Sequence, residues 1–238
     1  MLIEEQDKMS PELLDRINAA LTMTELEDIY LPYRPKRKTR ASVAREKGLE
    51  PLAGLIMKQD LHDPAAEAEK YLNDDVESIE DALQGARDII AEWINEDQNA
   101  RKKIRKLFER DARIISKIIK GKEEEGAKYR DYFEWDEPLS KCPSHRLLAM
   151  RRGEDEGFLK LSVMPDEDRA FELLQGIFIK AANDAAEEVM AAVKDSWKRL
   201  LGPAMETEAR NLAKERADEE AIKAVSYTHL TLPTKRIV

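Results

Sequence analysis

Seven basic side chains crowd the stretch LPYRPKRKTRASVAREK, residues 31 to 47: Arg34, Lys36, Arg37, Lys38, Arg40, Arg45 and Lys47, with Glu46 as the single acid. Guanidinium and ammonium groups at this density neutralise phosphates and release counterions, a contact that reads charge and not base identity. Pro32 and Pro35 narrow the conformations open to the segment, so its cations are displayed at little ordering cost. Tyr30 and Tyr33 stand beside it and offer a ring either to a base or to the core. The competing reading is a solvated loop whose cations pair with acids elsewhere in the chain. A second basic run, RKKIRKLFER, carries Arg101, Lys102, Lys103, Arg105, Lys106 and Arg110. It reads as the polar side of an amphipathic helix.

Other chemistry finds little material. A zinc or iron site needs several Cys and His donors converging on one ion. Cys142 and His145 in CPSH make half a site at most, and His62 stands alone. No nucleophile signature surrounds that Cys–His pair. Asp74-Asp75 and Glu123-Glu124-Glu125 read as solvated acidic faces, and GKEEEG lacks the spacing and hydroxyl of a phosphate-cradling loop. A nuclease would need clustered acids around a metal. The expectation is therefore a protein without catalytic residues, metal or cofactor.

The composition sets the background. Among 238 residues, 37% are charged and only 6% aromatic, a mixture that favours exposed helices. The formal charge of −9 excludes a protein that coats nucleic acid indiscriminately, so any phosphate contact has to be local. A lone cysteine forbids an intrachain disulfide and points to a reducing, cytoplasmic compartment. No apolar run approaches the roughly 20 residues of a membrane span, and no membrane partner is expected. The opening MLIEEQDKMSPELL reads as the middle of a helical region, with the native start expected upstream.

The elements that must position these residues are mostly helices. Ser10-Pro11, Thr22 with Glu25, Thr39, Pro51 and Asp63-Pro64 are helix-start signals. They predict a helix carrying Leu13, Leu14, Ile17 and Leu21, one through Tyr30, and one from Arg40 to Lys47 stopped by Gly48. Between them LPYRP is expected to be extended. SIEDALQGARDIIAEWINED keeps Ile79, Leu83, Ala86, Ile90, Trp93 and Ile94 on one face. The next predicted helix carries Ile104, Leu107 and Phe108 and ends at Gly121. KEEEGAKYRDYFEWDEPLSKCPSH reads as an ordered loop, FLKLSV (158–163) as the one strand, and Asp166 to Ala224 as helix with a break at Gly202-Pro203. The fold class expected is mostly α: a multi-helical array with helix-turn-helix-like units and at most one short strand or hairpin. SYTHLTLPTKRIV, residues 226–238, breaks the pattern and reads as a non-native, adapter-derived tail.

These blocks also carry a resemblance. ELEDIYLPYRPKRKTRASVAREKGLEPLA resembles the signature of the Tex family of bacterial transcription accessory proteins. GARDIIAEWI, the stretch from GKEEEGAKYRDYF to EGFLKLSV, and ETEARNLAKERADEEAIKAV follow in family order. The resemblance implies part of a longer protein that continues into a YqgF-like ribonuclease-H fold, a helix-hairpin-helix unit and an RNA-binding OB-fold. Residues 1–121 would then be a partial N-terminal helical domain, and residues 122–225 its continuation toward the YqgF-like domain. Expected partners are RNA or DNA, through phosphate contacts at Arg34 to Lys47. The alternative is a helical scaffold that positions the other domains and touches transcription-machinery proteins. The block PSHRLLAMRRGEDEGFLKLSV reads as packing, with Ser144 as a helix cap and Gly153 and Gly157 as turn residues. Its cations Arg146, Arg151 and Arg152 are a weaker phosphate candidate.

Overall fold

The structure, a computed structural model, describes residues 10–34 and 38–231, with side chains up to residue 223. The described residues are mostly α-helical and form two compact units. One comprises the chain up to Lys103 together with Phe171–Gly202. The other comprises Ile104–Ala170 and the chain from Pro203 onward.

In the first unit, α1 (Pro11–Ala19), α2 (Met23–Tyr30), α3 (Arg40–Glu46), α4 (Glu50–Lys58) and α5 (Pro64–Ala68) precede α6 (Ile79–Glu96). The start signals hold at Ser10, Thr22, Thr39 and Asp63, each side chain accepting from a backbone amide of the first turn, and Ser78 caps α6 in the same way. Helix α6 is the hub: α3, α4, α5 and α10 (Asp184–Ser196) all pack against it. Its buried row Ala82, Ala86, Ile89, Ile90 and Ile94 alternates small and branched side chains, which lets neighbours come close. Gly85 takes this furthest, since a Cβ there would collide with Leu49 Cδ1 and press on Ala44. Gln59 closes the unit from the left-handed end of α4. Its amide donates to Phe178 O at 2.7 Å and accepts from Lys180 N at 2.7 Å, while its carbonyl accepts from Asn183.

Several expectations need correction here. Leu21 does not continue α1, which ends at Ala19, and its side chain is 92% exposed. Leu31–Tyr33 forms a 3-10 turn in place of extended backbone, and only at Arg34 does the chain extend. The helical break expected at Gly202-Pro203 falls at residues 179–183, where Asn183 caps α10. A π-helical turn, Trp197–Leu201, then runs on into α11 (Gly202–Thr231). Gly202 N donates to Trp197 O in that wider turn, just before the proline that has no amide hydrogen to give.

In the second unit, the helix expected to end at Gly121 stops ten residues sooner. Helix α7 (Gln98–Asp111) gives way to β1 (Arg113–Ile118), because alternating Ile and polar residues gain more from pairing on both sides than from a helix. The expected loop contains β2 (Glu134–Pro138), flanked by 3-10 turns. The expected strand is present as β3 (Leu159–Met164). So the allowance of one strand or hairpin becomes a three-stranded antiparallel sheet of order β2-β1-β3. Ile114, Ser116, Leu159, Leu161 and Val163 form its buried face.

Helix α8 (Ser144–Asp155) packs on β3. Pro143, not Ser144, occupies its cap position, and the Ser144 hydroxyl bonds Glu220. Gly153 is inside α8, where a Cβ would run into Leu159, while Gly157 is the turn residue at φ +76°. The outer edge of β3 is occupied by side chains. Glu206 accepts from Val163 N at 2.8 Å, and Glu154 accepts from Leu161 N at 3.3 Å and pairs with Arg210. The backbone of α11 continues past Ser226 to Thr231, and residues 232–238 of the expected tail lie outside the described residues.

Candidate nucleic-acid interface

The basic segment sits between α2 and α3, and both of its ends are anchored. Below it, Ile29 with Tyr30 and Tyr33 packs on Leu13 and Ile17 of α1, so the tyrosines serve the core. Asp28 on the same helix pairs with Arg101 at 2.6 Å, both nearly enclosed. Arg101 therefore belongs to a buried ion pair and not to the solvent side of α7; Lys102, Lys103 and Lys106 take that side. Above it, Thr39 opens α3 with a reciprocal cap. Its hydroxyl accepts from Ser42 N at 3.0 Å, and Ser42 Oγ accepts from Thr39 N at 2.8 Å. Ala41 and Ala44 turn inward, and Gly48 ends the helix at φ +78°.

The cations of the segment divide by what they meet. Arg45 donates to Glu92 of α6 at 2.6 Å and to Glu50 at 3.3 Å. Burial works against its charge, but Glu92 and Glu50 outweigh that and its pKa is raised. Glu92 is itself enclosed and also accepts from Thr39 Oγ1 at 3.3 Å, so it pins α3 at both ends. Lys47 reaches Asp75 O at 2.7 Å. One turn before Glu92, burial pushes the Asp88 carboxyl up, opposed by the charges of Arg199 and Arg40. Arg199 reaches Asp88 at 3.4 Å and Asp195 at 2.5 Å.

Arg34, Lys38 and Arg40 are different. All three are exposed, and none has an ion pair among the described residues. Lys36 and Arg37 lie outside the described residues. The structure thus brings Lys38 and Arg40 together at the start of α3 and turns Arg45 and Lys47 inward. Sequence reasoning missed Asp88 and Glu92 as the acids beneath α3. Their signal was an i, i+4 pair of carboxylates on the otherwise apolar side of a strongly periodic helix.

Two of the three weaker candidates are structural: Arg146 donates to Glu137 at 2.6 Å and stacks on Trp135 at 4.6 Å, and Arg151 pairs with Glu154. Arg152 is exposed and acts on Glu156 through its charge. Cys142 is buried beside Glu137 while His145 points to solvent. Burial and the Glu137 carboxylate push the thiol up to about 12. Among the described residues no three His, Cys, Asp or Glu side chains gather closely enough to hold an ion, and no helix is long and apolar enough to cross a membrane.

Fold and site define a helical module with a small antiparallel sheet and a local cationic segment in an acidic chain. A family model described as Tex central region-like matches residues 59–225. Protein tex of Bordetella pertussis is 40% identical over 93% of this chain, and the transcriptional accessory protein Tex of Neisseria gonorrhoeae is 38% identical over 92%. The human S1 RNA-binding domain-containing protein 1 is 26% identical over 92% of the chain. The chain belongs to the Tex family. It spans about 30% of the length of the two bacterial relatives and 24% of the human one.

Proposed function

We propose that this chain is a nucleic-acid-contacting helical part of a Tex-type transcription accessory protein, and that it binds without catalysing a reaction. Its role is to hold RNA phosphates through Arg34, Lys38 and Arg40, with Lys36 and Arg37 of the same run. The observation that carries this reading is the division within the segment: Arg45 and Lys47 bond to internal partners, while Arg34, Lys38 and Arg40 are exposed and form no ion pair among the described residues, Arg40 acting on Asp88 only through its charge. Cations needed only to hold the fold would be matched as Arg45 is. The names of relatives, transcriptional accessory protein and S1 RNA-binding domain-containing protein, support RNA as the polyanion.

The test is an anisotropy titration of a labelled single-stranded RNA at several salt concentrations, comparing the chain with its R34E/K38E/R40E variant. Losing three phosphate contacts should weaken binding at low salt and flatten the slope of log K against log salt by about 2, at ~0.7 per contact. Superimposable titrations would rule the assignment out.

A second reading, a scaffold that touches transcription-machinery proteins, is favoured by one observation. At the α1–α2 turn Leu21 and Met23 are 92% and 70% exposed, and Leu14 of α1 is 45% exposed. On that reading L21S/M23S abolishes recovery of a protein partner and leaves RNA binding untouched.

A further inference from the structure

The second unit carries another cationic surface, on the open face of its sheet. Along β1, Ile114 and Ser116 point into the core, so Arg113, Ile115 and Lys117 point outward. The register sets Lys117 directly opposite Lys160 of β3, and neither lysine has an ion pair among the described residues. Like charges directly opposite each other destabilise a strand pair, and on the other side of Lys117 the register supplies only Glu134. Two lysines therefore share one unbonded carboxylate.

At the other end of the same face, about 13 Å along the strand, the surface dips. A depression of about 440 Å³ is floored by Ile115, Pro138 and Met164 and edged by Arg110, Arg113 and Arg169. Arg110 and Arg169 both bond Asp111, at 2.8 and 3.0 Å, so two guanidiniums share one acid, while Arg113 bonds Asp136 at 2.7 Å. Asp166 is held as the cap of α9 (Glu167–Phe178), the helix that follows β3, accepting from Arg169 N. Five cations face four carboxylates here, which leaves this face net positive in a chain of net charge −9.

We propose that this open sheet face binds single-stranded nucleic acid. Phosphates sit on Lys117 and Lys160, and an unstacked base lies over the apolar floor between the guanidinium planes. The occupant is a single strand because a base enters such a depression only when it is free of a duplex stack. Phosphates also relieve the Lys117–Lys160 repulsion that the chain itself leaves standing. This surface shares no residue with the segment at 31–47, so either can fail without the other.

The experiment titrates a labelled single-stranded oligouridylate against three proteins: the chain, K117Q/K160Q, and K58Q/K194Q. The last carries the same charge change on exposed lysines of the first unit. Glutamine removes charge from exposed positions without creating a new repulsion, so folding is preserved. K117Q/K160Q should lose about tenfold in affinity at low salt, with the salt slope flatter by about 1.4 for two lost contacts. K58Q/K194Q should stay close to the unmodified chain. Equal losses in both variants, or no loss in K117Q/K160Q, would overturn the proposal. So would a polyglutamate peptide that displaces the oligonucleotide at equal charge, since the face would then be one for acidic protein segments.

Discussion

Arg45 and Lys38 carry the same charge seven residues apart, and their surroundings give them opposite jobs. Arg45 meets Glu92, an acid that α6 holds nearly out of water, and the pair locks α3 to its hub. Lys38 is exposed and forms no ion pair among the described residues. The same logic governs Cys142. Burial first, then the neighbouring Glu137, holds its thiol protonated up to about 12. In the folded chain at pH 8 a disulfide reagent should therefore modify it about a thousandfold more slowly than in denaturant, where the thiol ionises near its ordinary ~8.5. Equal rates would show that the thiol is not enclosed. The linkage has a definite sign: a raised thiol pKa contributes stability that is intact below the unfolded value. That contribution is lost as pH rises through the folded value, so the fold weakens in alkali.

The early helices of the first unit were legible because most of them advertise their start. Ser10, Thr22, Thr39 and Asp63 are capping residues whose local chemistry suffices to find them, whereas Asn183, a cap of the same kind before α10, escapes notice inside a long helical run. The sheet was not legible, and the reason is tertiary. Arg113 to Ile118 follows a strongly helical run without a break, and Glu134 to Pro138 is rich in acids. Both become strands because partners distant in sequence complete their hydrogen bonds. With β1 read as helix, the facing of Lys117 and Lys160 had no signal at all, nor did the depression beside Arg113. The charges at 31–47 were visible in the sequence, but which of them would be neutralised depended on Glu92, 47 residues beyond Arg45. The cross-strand repulsion makes its own prediction. Lys160→Glu places an acid opposite Lys117 and should stabilise the unit by about 0.2–1 kcal/mol. Thermal unfolding would register that as a rise of at most about 4 °C, and a fall would mean that the two lysines do not face each other.

The chain is acidic overall, and among the described residues the run before α3 and the open face of the sheet are two places where exposed cations without an ion pair stand close in the fold. An acidic background suppresses indiscriminate attachment to nucleic acid and leaves local contacts to act against it. On the proposed reading such a surface would bind weakly and depend steeply on salt. The central claim is that this chain, by itself, holds a single strand through phosphates. The most direct measurement is the affinity of the unmodified chain for a single-stranded RNA as salt is raised. The account predicts measurable binding at low salt that falls linearly in log K against log salt, with a slope of about −2 or steeper. Absence of binding at the lowest salt, or an affinity indifferent to salt, would contradict it.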